Sequence, residues 1–255
     1  MLPSKTKSTE KSSKQTITAK LVRTALVATA FVGLAACSST GVNVMPAMAN
    51  TNATDAQCNP YQDEVRHSIL RLRTQDSTAS GVVVAQDRVL TVAHAVDKSR
   101  KVVAEVEGFA MQAEVIAIDE ANDLAILDVP TGAIPAVTIA DEKLTANEQV
   151  WAVGFPLASN QRVSEGIYES VYNGRLYSNV HINSGTSGGG LLRCDDSGDV
   201  ELAGIVHGYI AKSIGSDLVN IGDSVSVPVP TIRHFINSSL SGMVMDEQSR
   251  LTVRY

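Results

Sequence analysis

Asn183-Ser184-Gly185-Thr186-Ser187-Gly188-Gly189-Gly190-Leu191-Leu192 sets a serine among glycines and follows it directly with an apolar pair. Glycine lacks a Cβ and tolerates positive φ, so such a stretch lets backbone close on a ligand. A Ser/Gly-rich surface turn would have a similar composition. Leu191-Leu192, however, carries this turn into a buried strand instead of a polar loop. Ser187 is therefore the candidate nucleophile. A hydroxyl is a weak nucleophile at neutral pH: it needs an adjacent base, the base needs an orienting carboxylate, and the developing oxyanion needs aligned N–H donors.

A base is found in Thr91-Val92-Ala93-His94-Ala95-Val96, after the strand-like run Gly81-Val82-Val83-Val84-Ala85 and the segment Arg88-Val89-Leu90. Small neighbours leave the His94 imidazole room to face an adjacent strand; a purely structural histidine is the plainer reading of the residue taken alone. The carboxylate is Asp123, which heads the apolar run of Asn122-Asp123-Leu124-Ala125-Ile126-Leu127-Asp128-Val129. At the mouth of a buried strand a carboxylate is costly unless hydrogen-bonded, and an imidazole N–H would supply that bond. An acidic turn before a strand is the alternative.

The body of the chain is strand-rich. Ile69-Leu70-Arg71-Leu72-Arg73 alternates apolar and polar residues, Lys101 to Val106 does so in part, and Ala113 to Ile118 continues the pattern with turn residues between. Short strands separated by turns imply an all-β barrel or sandwich. In Pro230-Thr231-Ile232-Arg233-His234-Phe235-Ile236-Asn237 the apolar residues take helical spacing with proline at a permitted early position, which predicts a short C-terminal helix.

Thr91 to Val96, Asp123 to Val129 and Ser184 to Leu192, in the order His, Asp, Ser, resemble the three signature segments of trypsin-like serine proteases. The resemblance is strongest to the bacterial HtrA branch and to compact glutamyl-endopeptidase-like enzymes. Ser80-Gly81-Val82-Val83-Val84, Val150-Trp151-Ala152-Val153-Gly154-Phe155-Pro156 and Gly204-Ile205-Val206-His207-Gly208 fit the intervening strands, so it covers roughly residues 65 to 238. It implies an all-β fold of two six-stranded antiparallel barrels with a short C-terminal helix. His94 and Asp123 would come from the first barrel, Ser187 from the second, and the active site would lie between them.

The resemblance also implies roles. His94 would be general base and acid, Asp123 would orient it, Ser187 would attack the scissile carbonyl to give an acyl-enzyme, and the N–H groups of Gly185 and Ser187 would form the oxyanion hole. The S1 pocket would be lined by His181, Ile182, Val206 and Tyr209. With no Asp at its base, it favours a small aliphatic P1 residue over Lys or Arg, although His181 could attract an acidic one. Thr186 stands where HtrA enzymes carry Asn and trypsins carry Asp, so activation by N-terminal clipping is not expected. The glycines that permit the hole also permit a flipped Gly185 peptide that abolishes it. Two function classes survive: a serine endopeptidase acting on envelope polypeptides, and a catalytically inert protease fold used as a lipoprotein binding or assembly module. Neither calls for a cofactor, and without CxxC or HExxH a metal site has no support in the sequence.

Residues 1–36 read as a lipoprotein signal peptide. Lys5, Lys7, Lys11, Lys14, Lys20 and Arg23 precede an apolar run from Ala25 to Leu34, short for a membrane span. The run leads to Leu34-Ala35-Ala36-Cys37, which resembles a bacterial lipobox, with Cys37 the lipidated residue and several acyl chains giving a firm anchor. Ser38, where an inner-membrane retention signal would have Asp, points to the outer membrane, with the enzyme facing the periplasm. Soluble secretion to the periplasm after Ala47-Met48-Ala49 is the alternative. Residues 37–60 are small and polar and read as a flexible tether, 61–240 as the protease domain, and 241–255 as a polar tail in which no PDZ domain fits. Residues 1–36 carry six basic side chains and Glu10; removing them takes the net charge from −6 to −11. So acidic a domain lacks the electrostatic footprint of a nucleic-acid binder. With Cys37 assigned to lipid, Cys58 and Cys194 remain as a candidate disulfide in an oxidising compartment, or as two free thiols.

Overall fold

The structure, a computed structural model, describes residues 58–61, 64–96, 101–215 and 217–239. The expected signal peptide of 1–36, Cys37, most of the expected tether and the expected tail of 241–255 lie outside the described residues. Strands β1 (Ile69–Arg73), β2 (Thr78–Ala85), β3 (Arg88–Thr91), β4 (Val102–Val106), β5 (Phe109–Asp119) and β6 (Leu124–Asp128) form a first closed barrel in the order β1-β2-β3-β6-β5-β4. It closes where β1 pairs with β4, Leu72 facing Ala104. Strands β7 (Gln149–Gly154), β8 (Arg162–Tyr172), β9 (Arg175–Ser178), β10 (Gly190–Cys194), β11 (Val200–Ile214) and β12 (Asp217–Pro228) form a second, in the order β10-β11-β12-β9-β8-β7. The strand pairs within both barrels are antiparallel, and the second closes where β10 pairs with β7. The expected two six-stranded barrels are the observed fold.

Three apolar clusters explain why the barrels sit together. One fills the first barrel, with Leu72, Val83, Val89, Ala125 and Leu127; another fills the second, with Val150, Ala152, Leu191 and Val206. The third lies in the seam, where Ile69, Val82, Leu90, Leu124 and Ile126 meet Trp151, Val153, Leu192, Leu202 and Ile205. Successive side chains of a strand point to opposite faces. In β6, Ala125 and Leu127 therefore enter the barrel while Leu124 and Ile126 enter the seam. The same division splits Leu191 from Leu192. A strand buried on both faces reads as an unbroken apolar run, which is why the residues after Asp123 and after the glycine turn look alike in sequence. Each fully buried Leu or Ile in the seam contributes about 1.5–3 kcal/mol.

The chain returns to this seam at its end. Residues 229–239 are helical, and Ile232 and Phe235 enter the seam cluster. Cys58 and Cys194 are bonded, their Cα atoms 5.9 Å apart, which ties the segment before β1 to the end of β10.

Candidate active site

Strand β3 ends at Thr91 and the chain turns into a short helix, α1 (Ala93–Val96), that carries His94. On the neighbouring strand of the same barrel, the β5–β6 turn presents Asp123. That turn is built by Asp119, whose carboxylate accepts from the Asn122 backbone N–H (3.0 Å) and side-chain amide (2.7 Å). The Asn122 carbonyl is held in turn by the Arg175 guanidinium, 2.8 Å away, from β9 of the second barrel. Asp123 itself has φ of 57°, a left-handed conformation uncommon for a non-glycine residue and tolerated best by Asn and Asp.

This backbone turn brings the buried Asp123 carboxylate onto His94. Oδ1 accepts the His94 backbone N–H at 2.8 Å and Oδ2 pairs with the imidazole Nδ1 at 2.8 Å. A second imidazole reaches the same oxygen: His207 Nδ1 lies 2.5 Å from Oδ2. The two rings stand nearly perpendicular, 5.6 Å apart. Burial pushes the Asp123 carboxyl up, but hydrogen bonds from His207, from the His94 side chain and from the His94 backbone outweigh it and hold the group well below the ordinary carboxylate range. Among the described residues, His94, Asp123 and His207 are the one set offering three metal-type ligand atoms within 4.8 Å of one another. Their N···O separations are those of hydrogen bonds; two ligands of a tetrahedral zinc stand roughly 3.3 Å apart. The set is thus a hydrogen-bonded one.

The glycine turn is fixed through its carbonyls. The Asn183 carbonyl accepts from Thr186 N–H (3.1 Å), Ser184 from Leu157 N–H (2.7 Å), Thr186 from Gly189 N–H (2.9 Å), and Ser187 from Ser80 N–H (2.8 Å). The Gly185 carbonyl accepts from the Ser80 hydroxyl at 2.8 Å. Five consecutive carbonyls are therefore engaged, whereas the N–H groups of Gly185 and Ser187 have no protein acceptor among the described residues. Gly185 has φ of 95°, and a Cβ there would press on the Phe155 carbonyl at 2.5 Å. Only glycine fits. The bond from Leu157 holds the Ser184 carbonyl, the one that would swing inward if the Gly185 peptide flipped.

Ser187, His94, Asp123, His207 and Tyr209 line one cleft of about 770 Å³. The other expected pocket residues do not join them as a set. Tyr209 stands at the cleft with its hydroxyl 3.5 Å from Ser184 Oγ, but Val206 is fully buried inside the second barrel. His181 and the buried Ile182 border a separate cavity of about 410 Å³ with Pro156, Leu157, Arg162 and Thr186. Strand β11 carries a bulge here: Val206 pairs with Ser226 and Gly208 with Val225, leaving His207 as an extra residue. An inserted residue changes which side chains share a face.

Comparison with known proteins agrees with this geometry. Residues 79–201 match the family model of the trypsin-like peptidase domain. The fold is trypsin-like. Curated relatives include the "Probable periplasmic serine endoprotease DegP-like" of Halomonas elongata, 29% identical over 164 residues, a match covering 60% of this chain and 33% of that protein. "Serine protease HTRA1" of Xenopus laevis is 28% identical over 179 residues, covering 64% and 36%. The chain thus spans about a third of the length of the curated relatives it matches. Among solved structures, the serine endoprotease from Yersinia pestis superposes with a TM-score of 0.61 at 22% identity, covering 72% of this chain and 67% of that one. The inactive form of the Rv3671c protease from M. tuberculosis H37Rv gives 0.60 at 21% identity, covering 72% and 91%. At such identities the solved structures speak for the trypsin-like fold.

Two polar residues of the barrels were not singled out from the sequence. His207 lies inside a segment read only as a family strand and pocket wall. Ser80, fully buried, gives its hydroxyl to Gly185 and receives the Phe155 N–H at 3.0 Å. Nothing in either residue's own neighbourhood signals these bonds, which cross from one barrel to the other.

Proposed function

We propose that the chain is a serine endopeptidase that cleaves envelope polypeptides through an acyl-enzyme. His94 takes the proton of Ser187 and returns it to the leaving amine, Asp123 holds the imidazole tautomer and balances the imidazolium, and the N–H groups of Gly185 and Ser187 receive the oxyanion. The observation that carries this reading is the pairing of His94 with Asp123 in the same cleft as Ser187, beside two backbone donors without protein acceptors among the described residues. A small apolar P1 residue is the preference implied by the family resemblance, and the contact of Tyr209 with Ser184 beside the nucleophile supports its small size. Residues 1–36 serve as the lipoprotein signal peptide, Cys37 takes the lipid, 37–60 tether the domain of 61–240 to the outer membrane on its periplasmic side, and 241–255 form a tail. The periplasmic place is supported by the name of the Halomonas elongata relative.

The test is labelling with a fluorophosphonate probe, read by mass spectrometry on the full chain and on Ser187→Ala. The expected result is one adduct on Ser187 and none in the variant. A folded wild-type protein left unmodified at Ser187 would refute the enzymatic reading and leave the binding module. Preference is read with a peptide library, where Glu or Arg at P1 outrunning Val and Ala would refute the small apolar pocket. Globomycin-sensitive incorporation of labelled fatty acid, lost in Cys37→Ala, tests the anchor; a soluble, unlabelled periplasmic protein would exclude it.

A further inference from the structure

We infer that His207 is a positioning residue of the reaction proposed above, one that shares the Asp123 carboxylate with His94 so that the base is silenced in two protonation steps instead of one. The inference rests on the reading of His94, Asp123 and Ser187 as a triad. Its geometric basis is a single acceptor, Asp123 Oδ2, with the two Nδ1 atoms at 2.8 and 2.5 Å.

A carboxylate has no proton to give, so each neutral imidazole on it must carry its hydrogen on Nδ1 and keep a lone pair on Nε2. For His94 that lone pair is the base. His207 is held in the same tautomer, and its side chain is 38% exposed along the cleft, so it exchanges protons with solvent. The backbone is shaped for this contact. His207 is the extra residue of the β11 bulge, between a Val206 directed into the barrel and a Gly208 already paired to β12. Bulges re-aim side chains in this way.

Protonation of His207 keeps its hydrogen bond but sets a positive charge against the carboxylate that must balance the His94 imidazolium in the transition state. The carboxylate is then compensated before His94 needs it, and His94 becomes a weaker base. A loss of one pKa unit there lowers its proton affinity about tenfold. A proton on His94 itself stops the reaction outright. Among the described residues, the other ionisable side chains facing the cleft are Glu120 from the β5–β6 turn, Arg175 from β9 and Tyr209 from β11. Glu120 favours and Arg175 opposes imidazole protonation; both move the midpoints of the acid limb without changing its number of steps.

The experiment measures the rate of fluorophosphonate labelling of Ser187 from about pH 8 to about pH 5 in the full chain, in His207→Asn and in His207→Ala. The Asn amide keeps an N–H where Nδ1 stood and does not titrate. The wild type is expected to lose rate in two steps, a first fall of about tenfold as His207 gains its proton and a complete loss as His94 does, and both variants in a single one-proton limb. His207→Ala should also lose about tenfold in its plateau, because Asp123 loses a donor that the amide retains. In parallel, proton NMR of histidine-labelled protein at neutral pH should show two far-downfield N–H resonances in the wild type and one in His207→Asn. A single-step limb in the wild type, or a two-step limb surviving in His207→Asn, overturns the shared carboxylate, and so does a single resonance in the wild type. If Ser187 fails to label in every form, the triad reading falls and takes the role of His207 in catalysis with it; the resonance count still reports separately whether His207 occupies Asp123.

Discussion

Gly188→Ala should unfasten the two barrels. Gly188 has φ of 83°, and a Cβ there would run into the Ser80 carbonyl oxygen and the Thr91 hydroxyl. Those two groups are hydrogen-bonded to each other at 2.7 Å, and the Gly188 N–H donates to the Val206 carbonyl at 2.8 Å. Left-handed backbone costs a non-glycine residue about 1–2 kcal/mol. Displacing Ser80 and Thr91 breaks their bond and strains the one from Ser80 N–H to the Ser187 carbonyl, which at about 1–2 kcal/mol for each buried group adds roughly 2–4 kcal/mol. The sum is about 3–6 kcal/mol. For a domain of this size 1 kcal/mol moves Tm by about 2–4 °C, so thermal unfolding followed by circular dichroism should show a fall of roughly 10–20 °C. Gly174→Ala is the control. Its φ is 73°, yet a Cβ there meets nothing within 4 Å, so it carries the backbone term alone. A fall of about 3–6 °C is expected for it. Equal falls in the two variants would refute the reasoning, because the collision would then cost nothing.

Three further outcomes are expected. The Asp123 carboxyl is held below its ordinary range when folded, so its stabilising contribution is present above the unfolded value of about 3.9 and is lost as pH falls through the folded value. The Tm difference between wild type and Asp123→Asn should therefore be full at about pH 7 and shrink below about pH 4; a gap that stays constant to about pH 3 would contradict it. Ser80→Ala leaves the Gly185 carbonyl and Phe155 N–H without their shared hydroxyl, a cost of about 1–3 kcal/mol for each buried group. Ser187 labelling should slow at least about tenfold as the Gly185 peptide loosens, and an unchanged rate would show that the hydroxyl does not hold it. Reduction of Cys58–Cys194 opens a loop of 136 residues, worth about 5 kcal/mol in the chain-entropy treatment. Cys58→Ala should melt roughly 10–20 °C lower, and a Tm indifferent to reductant would refute that estimate.

Much of the fold was legible because barrel strands here are buried on defined faces. Ile69 to Arg73 and Lys101 to Val106 announced β1 and β4 by alternation, and Leu124 to Leu127 announced β6 by an unbroken apolar run. Strand β5 runs further than Ala113 to Ile118 alone suggested. Its start at Phe109 is exposed and belongs to the sheet through the two-residue turn Glu107-Gly108, where both residues have positive φ and Val106 pairs with Phe109. The order of His94, Asp123 and Ser187 was legible from their segments. The pocket was less so. Val206 was placed on its wall by resemblance to the family, whereas its side chain is buried in the barrel and the neighbouring His207 lines the cleft.

Ser80 and His207 were hidden for a common reason, which also explains how the site is held. Each acts on a residue of the opposite barrel: Ser80, on β2, gives its N–H to Ser187 and its hydroxyl to Gly185, while His207, on β11, grips Asp123. Arg175 crosses the seam likewise to the Asn122 carbonyl. Hydrophobic burial is non-directional and brings the barrels together without setting their register. Hydrogen bonds lose strength within a fraction of an ångström and a few tens of degrees, so these crossing bonds fix the approach that burial leaves free. The nucleophile is thus positioned by a strand of the barrel it does not belong to, and the carboxylate by a bulge in the other. Local sequence patterns report a residue's own strand and face, so contacts made across the seam became visible only with both barrels in place.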